Sequence, residues 1–363
     1  MAADHTAHRH GGDPAADFQR LGLAPRPVLD FSVNINPLGP PPEITAAWNG
    51  WCDDIHRYPT PDGRGVTRYY EERFGLAPAS VAAGNGSTEL IYLVPRALGL
   101  KTAAVATPAF HDYRRSILVN GGKVVEFPAM AGTEEEWERK VVELLPRAQA
   151  LWVGNPNNPT GRLIEAERLL NLAERFPEKW FLVDEAFIQF VAQPENNSLL
   201  HPSRLRKNIV VFHSLTKFYA LAGLRIGAAI GHPHTMAAIR RHKEPWSVNL
   251  PAERAAEGLA AATDYELSSR QLMAEERKVM TVFVRESPIM AALAPTANFI
   301  LARWTATPDL DDLLRGMLRR GIHLRDARNF SGLADNWFRF AILGVGENER
   351  LRRAFGELAG EVR

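Results

Sequence analysis

Ser214-Leu215-Thr216-Lys217-Phe218-Tyr219-Ala220-Leu221-Ala222-Gly223-Leu224-Arg225-Ile226-Gly227 is the stretch on which the reading of this chain turns. The apolar run from Ile209 to Phe212 leads into it and reads as a buried strand. There follow a hydroxyl, a lysine three residues later and an arginine eight residues beyond that. A lysine amine held in an apolar site gives up its proton more readily, which suits it to Schiff-base formation with a carbonyl. Ser214 and Arg225 would hold a dianionic phosphate beside it, the arginine through its planar fork. An amine for an aldehyde with two phosphate ligands nearby points to pyridoxal phosphate. Taken alone, the same spacing also fits a surface lysine in a turn with Arg225 solvated.

Working outward, strands and helices alternate from about residue 100 to 230. The runs 102–107, 123–127, 151–155, 181–184, 209–214 and 226–231 read as buried strands. The runs 134–145 and 164–176 carry apolar residues at helical spacing (Trp137, Val141, Leu144; Leu169, Leu172, Phe176). Such alternation predicts a mainly parallel sheet covered by helices, with ligands collecting at the carboxyl ends of its strands. The polar residues of interest fall at those ends. Asn158 follows one strand, Asp184 closes another, Ser214 and Lys217 end a third, and the aromatic-bearing run Pro108 to Tyr113 follows a fourth. An aspartate beside a pyridine nitrogen keeps it protonated and strengthens the ring as an electron sink. An asparagine can donate to the phenolic oxygen, and Tyr113 can stack on the ring. Each has a plainer role open to it: Asp184 as a helix cap, Asn158 as a turn former, Tyr113 as core.

Gly84-Asn85-Gly86-Ser87-Thr88-Glu89 precedes a helical-looking run from Leu90 to Leu98, either an anion seat or an ordinary N-cap. Towards the N-terminus, Phe31, Val33 and Ile35 alternate with Ser32, Asn34 and Asn36, giving a short edge strand or a polar face that lines a site. Beyond residue 250 the chain turns more charged and helical. Strands at 299–304 and 337–343 around a helix at 310–320 predict a smaller α/β domain. Arg325 and Arg339 lie near strand ends there, either solvated or able to bind a carboxylate or phosphate.

The 363 residues allow two domains. With 43 basic and 42 acidic side chains, nothing favours a nucleic-acid partner. Cys52 is the single cysteine, so no intrachain disulfide or cysteine metal cluster forms. For His5, His8 and His10 no acidic or cysteine ligand is placed to complete a metal site, so a mobile or docking arm is expected. The opening thirteen residues lack the apolar core of a secretory leader, and the run from Leu90 to Leu100 is cut by Pro95 and Arg96. A soluble, cytoplasmic protein without a membrane partner is expected.

Assembled, these residues resemble the fold-type I pyridoxal-phosphate enzymes of the class I/II aminotransferase superfamily over nearly the whole chain. Within it, His10-Gly11-Gly12, the run from Asp30 to Gly39, Pro245-Trp246-Ser247-Val248-Asn249, and Arg325 with the run from Asn329 to Leu333 are most similar to the threonine-phosphate decarboxylase group of cobalamin biosynthesis. The His-Gly-Gly opening and the Pro245 to Asn249 run separate the chain from the histidinol-phosphate aminotransferases. The resemblance implies a large domain with a mainly parallel central sheet over residues 46–254 and a small C-terminal domain over 255–363. Residues 1–45 would form an N-terminal arm and part of the small domain. It implies Lys217 as the cofactor-bearing lysine, Asp184 on the pyridine nitrogen, Asn158 on the phenolic oxygen and Tyr113 against the ring face. Gly86, Ser87, Ser214 and Arg225 would hold the cofactor phosphate. Arg339 would take the substrate carboxylate, while His10, Asn34, Arg325 and Tyr58 of a neighbouring subunit would form a substrate phosphate pocket in a homodimer.

Phe187, where many aminotransferases have tyrosine, agrees with the decarboxylase group. Ser87, Leu343-Gly344 and Thr60-Pro61-Asp62-Gly63 depart from its pattern, and the last two bear on the substrate, not on the cofactor. Two reactions fit these residues: decarboxylation of L-threonine O-3-phosphate, or of phosphoserine, and transamination of a histidinol-phosphate-type substrate. A ligand sensor without catalysis would need a partner domain for which the N-terminal residues are too short.

Overall fold

A computed structural model describes residues 10–130, 132–306 and 309–361. His5 and His8 lie outside them.

Thirteen short strands carry the architecture among the described residues. Seven build one sheet: β2 (Val81–Asn85), β3 (Thr102–Thr107), β4 (Lys123–Pro128), β5 (Ala150–Gly154), β6 (Trp180–Asp184), β7 (Ile209–Ser214) and β8 (Ile226–Gly231), in the spatial order β2-β8-β7-β6-β5-β3-β4. Only β8 runs against its neighbours. The inner strands are near-continuous apolar runs because both of their faces are covered. On one face Leu182, Val210 and Phe212 pack with Leu90, Ile91 and Val94 of the helix Gly86–Ala97. On the other, Phe181, Val183 and Val211 join Leu169 and Leu172 of the helix Ala166–Arg175.

The mainly parallel sheet is the expected one, with one strand added. Val81–Asn85 carries little strand signal of its own, being mostly small residues, and is a strand through its pairing with β8. Helix bounds moved for local reasons. The helix expected from 164 starts at Ala166, since the Ile164 amide is taken by Asn155 Oδ1 at 2.7 Å. The helix Glu134–Leu144 opens on a capping box between Thr133 and Glu136.

A second sheet, β12-β13-β10-β9, is antiparallel throughout: β9 (Met290–Ala292), β10 (Phe299–Trp304), β12 (Arg325–Asp326) and β13 (Trp337–Ala341). The strand expected to reach residue 343 stops at Ala341, where the amides of Ala341 and Ile342 turn to the carbonyls of Phe31 and Asn298. The N-terminal segment is woven into this part of the molecule. Its strand β1 (Leu29–Asp30) pairs in parallel with β11 (Ile322–His323). Beyond β1 the alternating segment is irregular. No described helix is long and apolar enough to cross a membrane.

Candidate active site

The topology gathers one end of every central strand at a single edge. β3 and β5 are neighbours although β4 lies between them in sequence, so connections leave in opposite directions there and open a crevice at their carboxyl ends. β6 and β7 end beside it. β8 runs the other way, so its start, with Arg225, comes to the same edge. The parallel β2 delivers the N-terminus of the helix Gly86–Ala97 there.

A cavity of about 380 Å³ occupies this crevice. Ser87, Tyr113, Asn158, Asp184, Ser214, Lys217 and Arg225 line it from the large sheet, and His10, Asn34, Arg325 and Arg339 from the other side. Gly86 lies just behind Ser87. Its φ of 72° and its contact with Arg225 exclude a side chain, since a Cβ there would sit 2.5 Å from Arg225 Nη2. Arg225 itself has a left-handed backbone, φ 56°, held by its carbonyl accepting from the Gly86 amide at 2.9 Å. The serine hydroxyls, the helix N-terminus and one guanidinium thus converge as an anion seat.

Lys217 is buried beside it. Burial, with the Arg339 and Arg225 charges adding, pushes its amine down to about 8. Asp184 is buried too, and burial raises its carboxyl to about 6. Two hydrogen bonds oppose that rise: Tyr113 Oη donates to Oδ2 at 2.7 Å and the Ala186 amide to Oδ1 at 3.0 Å. Tyr113 lines the cavity in the position expected of a residue beside the ring, and it has two further contacts. Its hydroxyl serves Asp184, and one ring face is stacked on Trp152 at 4.8 Å with an interplanar angle of 5°. Phe110 is the neighbouring aromatic that lines the cavity.

Arg339 donates to the Ser32 carbonyl at 2.8 Å and to Asn158 Oδ1, and its Nε has no hydrogen-bond partner among the described residues. Burial, then the nearby Arg325 charge, lowers it to about 9. Arg325 donates to Asn329 Oδ1 at 2.7 Å, with its guanidinium 5.3 Å from the Phe330 ring centre. Asn34 Oδ1 is likewise buried without a partner among the described residues. Arg339 and Asn34 both line the cavity, and buried polar groups are costly unless a partner satisfies them.

One expected participant differs, and a second, Tyr58, is expected from a neighbouring subunit. Asn36, on the same alternating segment, turns away from the cavity; its Nδ2 donates to the Phe218 carbonyl and to Ser269 Oγ, both at 2.8 Å. Tyr58 does not reach the cavity within one chain. It is 83% exposed, its ring 5.6 Å from that of Trp246. Ser32, on the polar face of the alternating segment, lines the cavity as that face can, and Asp112, which no spacing pattern marks, lines it too.

An amine of depressed basicity, a buried carboxylate and a phosphate-sized cradle fit an aldehyde cofactor with a ring nitrogen and a phosphate. Comparison with known proteins agrees. Residues 26–358 match the family model described as aminotransferase class I and II. The chain is 33% identical over 355 residues to the threonine-phosphate decarboxylase of Salmonella typhimurium, covering 95% of each. It is 32% identical over 306 residues to the histidinol-phosphate aminotransferase of Dinoroseobacter shibae, covering 82% of each. The crystal structure of the histidinol-phosphate aminotransferase from Clostridium acetobutylicum superposes with a TM-score of 0.84 at 27% identity, over 92% of this chain and 100% of that one. The protein belongs to the class I and II aminotransferase family. It has the family's fold-type I architecture, and pyridoxal 5′-phosphate is its cofactor.

Proposed function

We propose that this enzyme decarboxylates L-threonine O-3-phosphate to (R)-1-aminopropan-2-yl phosphate, a step of cobalamin biosynthesis, working as a cytoplasmic homodimer. The observation that carries the reading is the pair of buried arginines, Arg325 and Arg339, on adjacent strands at the cavity. A substrate bearing both a carboxylate and a phosphate satisfies both in a single ligand; histidinol phosphate has one anionic group and would leave the pair to a dicarboxylate co-substrate. The similarity to a threonine-phosphate decarboxylase over 95% of both chains supports it.

Bound pyridoxal 5′-phosphate supplies an electron sink for the pair of electrons left when the carboxylate departs. Gly86, Ser87, Ser214 and Arg225 would hold its phosphate, Asp184 its ring nitrogen, and Asn158 its phenolic oxygen. Tyr113, hydrogen-bonded to Asp184, and Phe110 would offer aromatic surface to the ring. Lys217 would carry the cofactor, and its amine would deliver a proton to the substrate α-carbon. Arg339 orients the carboxylate for departure, its fork fixed by Ser32 and Asn158. Arg325, His10 and Asn34 surround the substrate phosphate. The exposed side chains of Trp48, Ile55, Tyr58 and Trp246 supply apolar surface for a second subunit, whose Tyr58 would complete the pocket.

Transamination of a histidinol-phosphate-type substrate is the second reading, favoured by the likeness to those aminotransferases. Cofactor-loaded protein given L-threonine O-3-phosphate without a keto acid separates them. Carbon dioxide released over many turnovers is the expected result. No release, with turnover of histidinol phosphate once 2-oxoglutarate is added, sinks the decarboxylase. Preference for phosphoserine would change only the substrate, since one methyl is worth about 1–3 kcal/mol in a pocket.

A further inference from the structure

Asp112 stands where an acid is costly. It lines a cavity walled by Lys217, Arg225, Arg325 and Arg339, a place built for anions, and a carboxylate there repels any anionic ligand. It is 2% exposed, so water does little to screen it. An acid in the first turn of the helix His111–Leu118 favours that helix, which accounts for its position in sequence. It does not account for its neighbours. Tyr92 Oη donates to Asp112 Oδ1, and Arg115 Nη1 donates to that phenol oxygen at 2.9 Å. On the cavity side, His10 Nε2 lies 3.7 Å from Asp112 Oδ2, an ion-pair distance when the imidazole is protonated.

The chain carrying His10 is fitted closely to the N-terminal segment. The Gly12 amide donates to Ser32 Oγ at 2.8 Å, and a Cβ on Gly11 would meet the Ser32 carbonyl oxygen at 2.3 Å. On the other side the His10 ring centre is 5.8 Å from that of Phe110. His10 and Gly11 also line a second cavity, of about 660 Å³, so this strip of chain is a wall common to both. Ser32 holds it through the backbone and Asp112 through the imidazole.

We infer that Asp112 is a positioning residue that holds His10 across the cavity, so that the imidazole meets the substrate phosphate. The inference rests on the reading of His10 as a phosphate contact. It resolves the misplaced acid: its repulsion of the ligand is offset because it fixes an imidazole between them.

The test uses the full-length, cofactor-loaded enzyme with Asp112→Asn, Asp112→Glu, His10→Gln and the Asp112→Asn/His10→Gln double variant. For L-threonine O-3-phosphate, Asp112→Asn should raise KM about tenfold, with a much smaller fall in kcat. Asp112→Glu should recover most of the loss, and the double variant should be no worse than His10→Gln alone. Hydrogen exchange at the Gly12 amide should quicken in Asp112→Asn. Losses that add in the double variant, or an unchanged KM with only a lowered melting temperature, overturn the proposal and leave Asp112 as a helix-start residue. Should the parent enzyme not act on threonine phosphate, the proposed function fails by itself. The Gly12 exchange rate then still decides the tether, with an unchanged rate overturning it.

Discussion

Arg325 and Arg339 are direct cross-strand partners on β12 and β13, at 7% and 5% exposure. Like charges in that register oppose each other, and each pays to leave water. The arrangement makes sense as a binding device, because an anionic ligand relieves both costs at once.

The fork of Arg339 then matters as much as its charge. Arg339→Lys keeps the cation but cannot hold Ser32, Asn158 and a carboxylate together. It should lower kcat/KM on threonine phosphate on the order of 10²-fold, with a small change in melting temperature. Steady-state kinetics beside a thermal melt checks this; a loss under threefold would remove Arg339 from carboxylate binding.

Lys217 makes cofactor loading pH-dependent. Its amine falls from the ordinary 10.5 to about 8, first through burial and then through Arg339 and Arg225. At pH 7 about one chain in ten then carries the neutral, nucleophilic amine, against about one in three thousand for an ordinary lysine. The rate of loading onto cofactor-free protein, followed by absorbance, should climb with pH and level off above about 8. A rate still rising tenfold per unit at pH 9 would contradict the shift.

His323 locks the N-terminal segment to the small domain. Its Nε2 lies 2.9 Å from Asp17 Oδ2 and its Nδ1 3.1 Å from Asp30 Oδ1. Burial alone would lower its basicity, but the two carboxylates prevail and raise it from 6.5 to about 9. Since the folded value exceeds the unfolded one, the stabilisation is complete below about 6.5 and disappears as pH rises through 9. His323→Gln should cost roughly 2–3 kcal/mol at pH 6 and almost nothing above pH 9. Urea midpoints across that range decide it, and a pH-independent cost would point to packing instead.

Much of this was readable from sequence. Strands such as Ile209–Ser214 are apolar runs ending in chemistry, and Lys217, Asp184 and Asn158 stand out because polar residues end buried strands. What escaped reading depends on contacts between distant residues. Val81–Asn85 is a strand because Ile226–Gly231 pairs with it, not because Val-Ala-Ala-Gly-Asn favours one. The Tyr113 hydroxyl could be assigned to Asp184 only once residues 71 apart met, and the segment after Leu29 lost its regular alternation to bonds with Phe218, Ser269 and Arg339. Tyr58 stays outside the cavity of its own chain, as a residue serving a second copy would.

The pairing of Leu29–Asp30 with Ile322–His323 also bears on the order in which this protein can be made. During synthesis the N-terminal segment leaves the ribosome first, yet its partner strand emerges almost three hundred residues later. At about 5–20 residues per second, that is a wait of roughly 15–60 s. Until then Ser32 and Asn34 lack the frame that sets them at the cavity, although the sheet bearing Lys217 and Asp184 has already been translated. A nascent chain can thus build the cofactor's cradle well before it can build the substrate's.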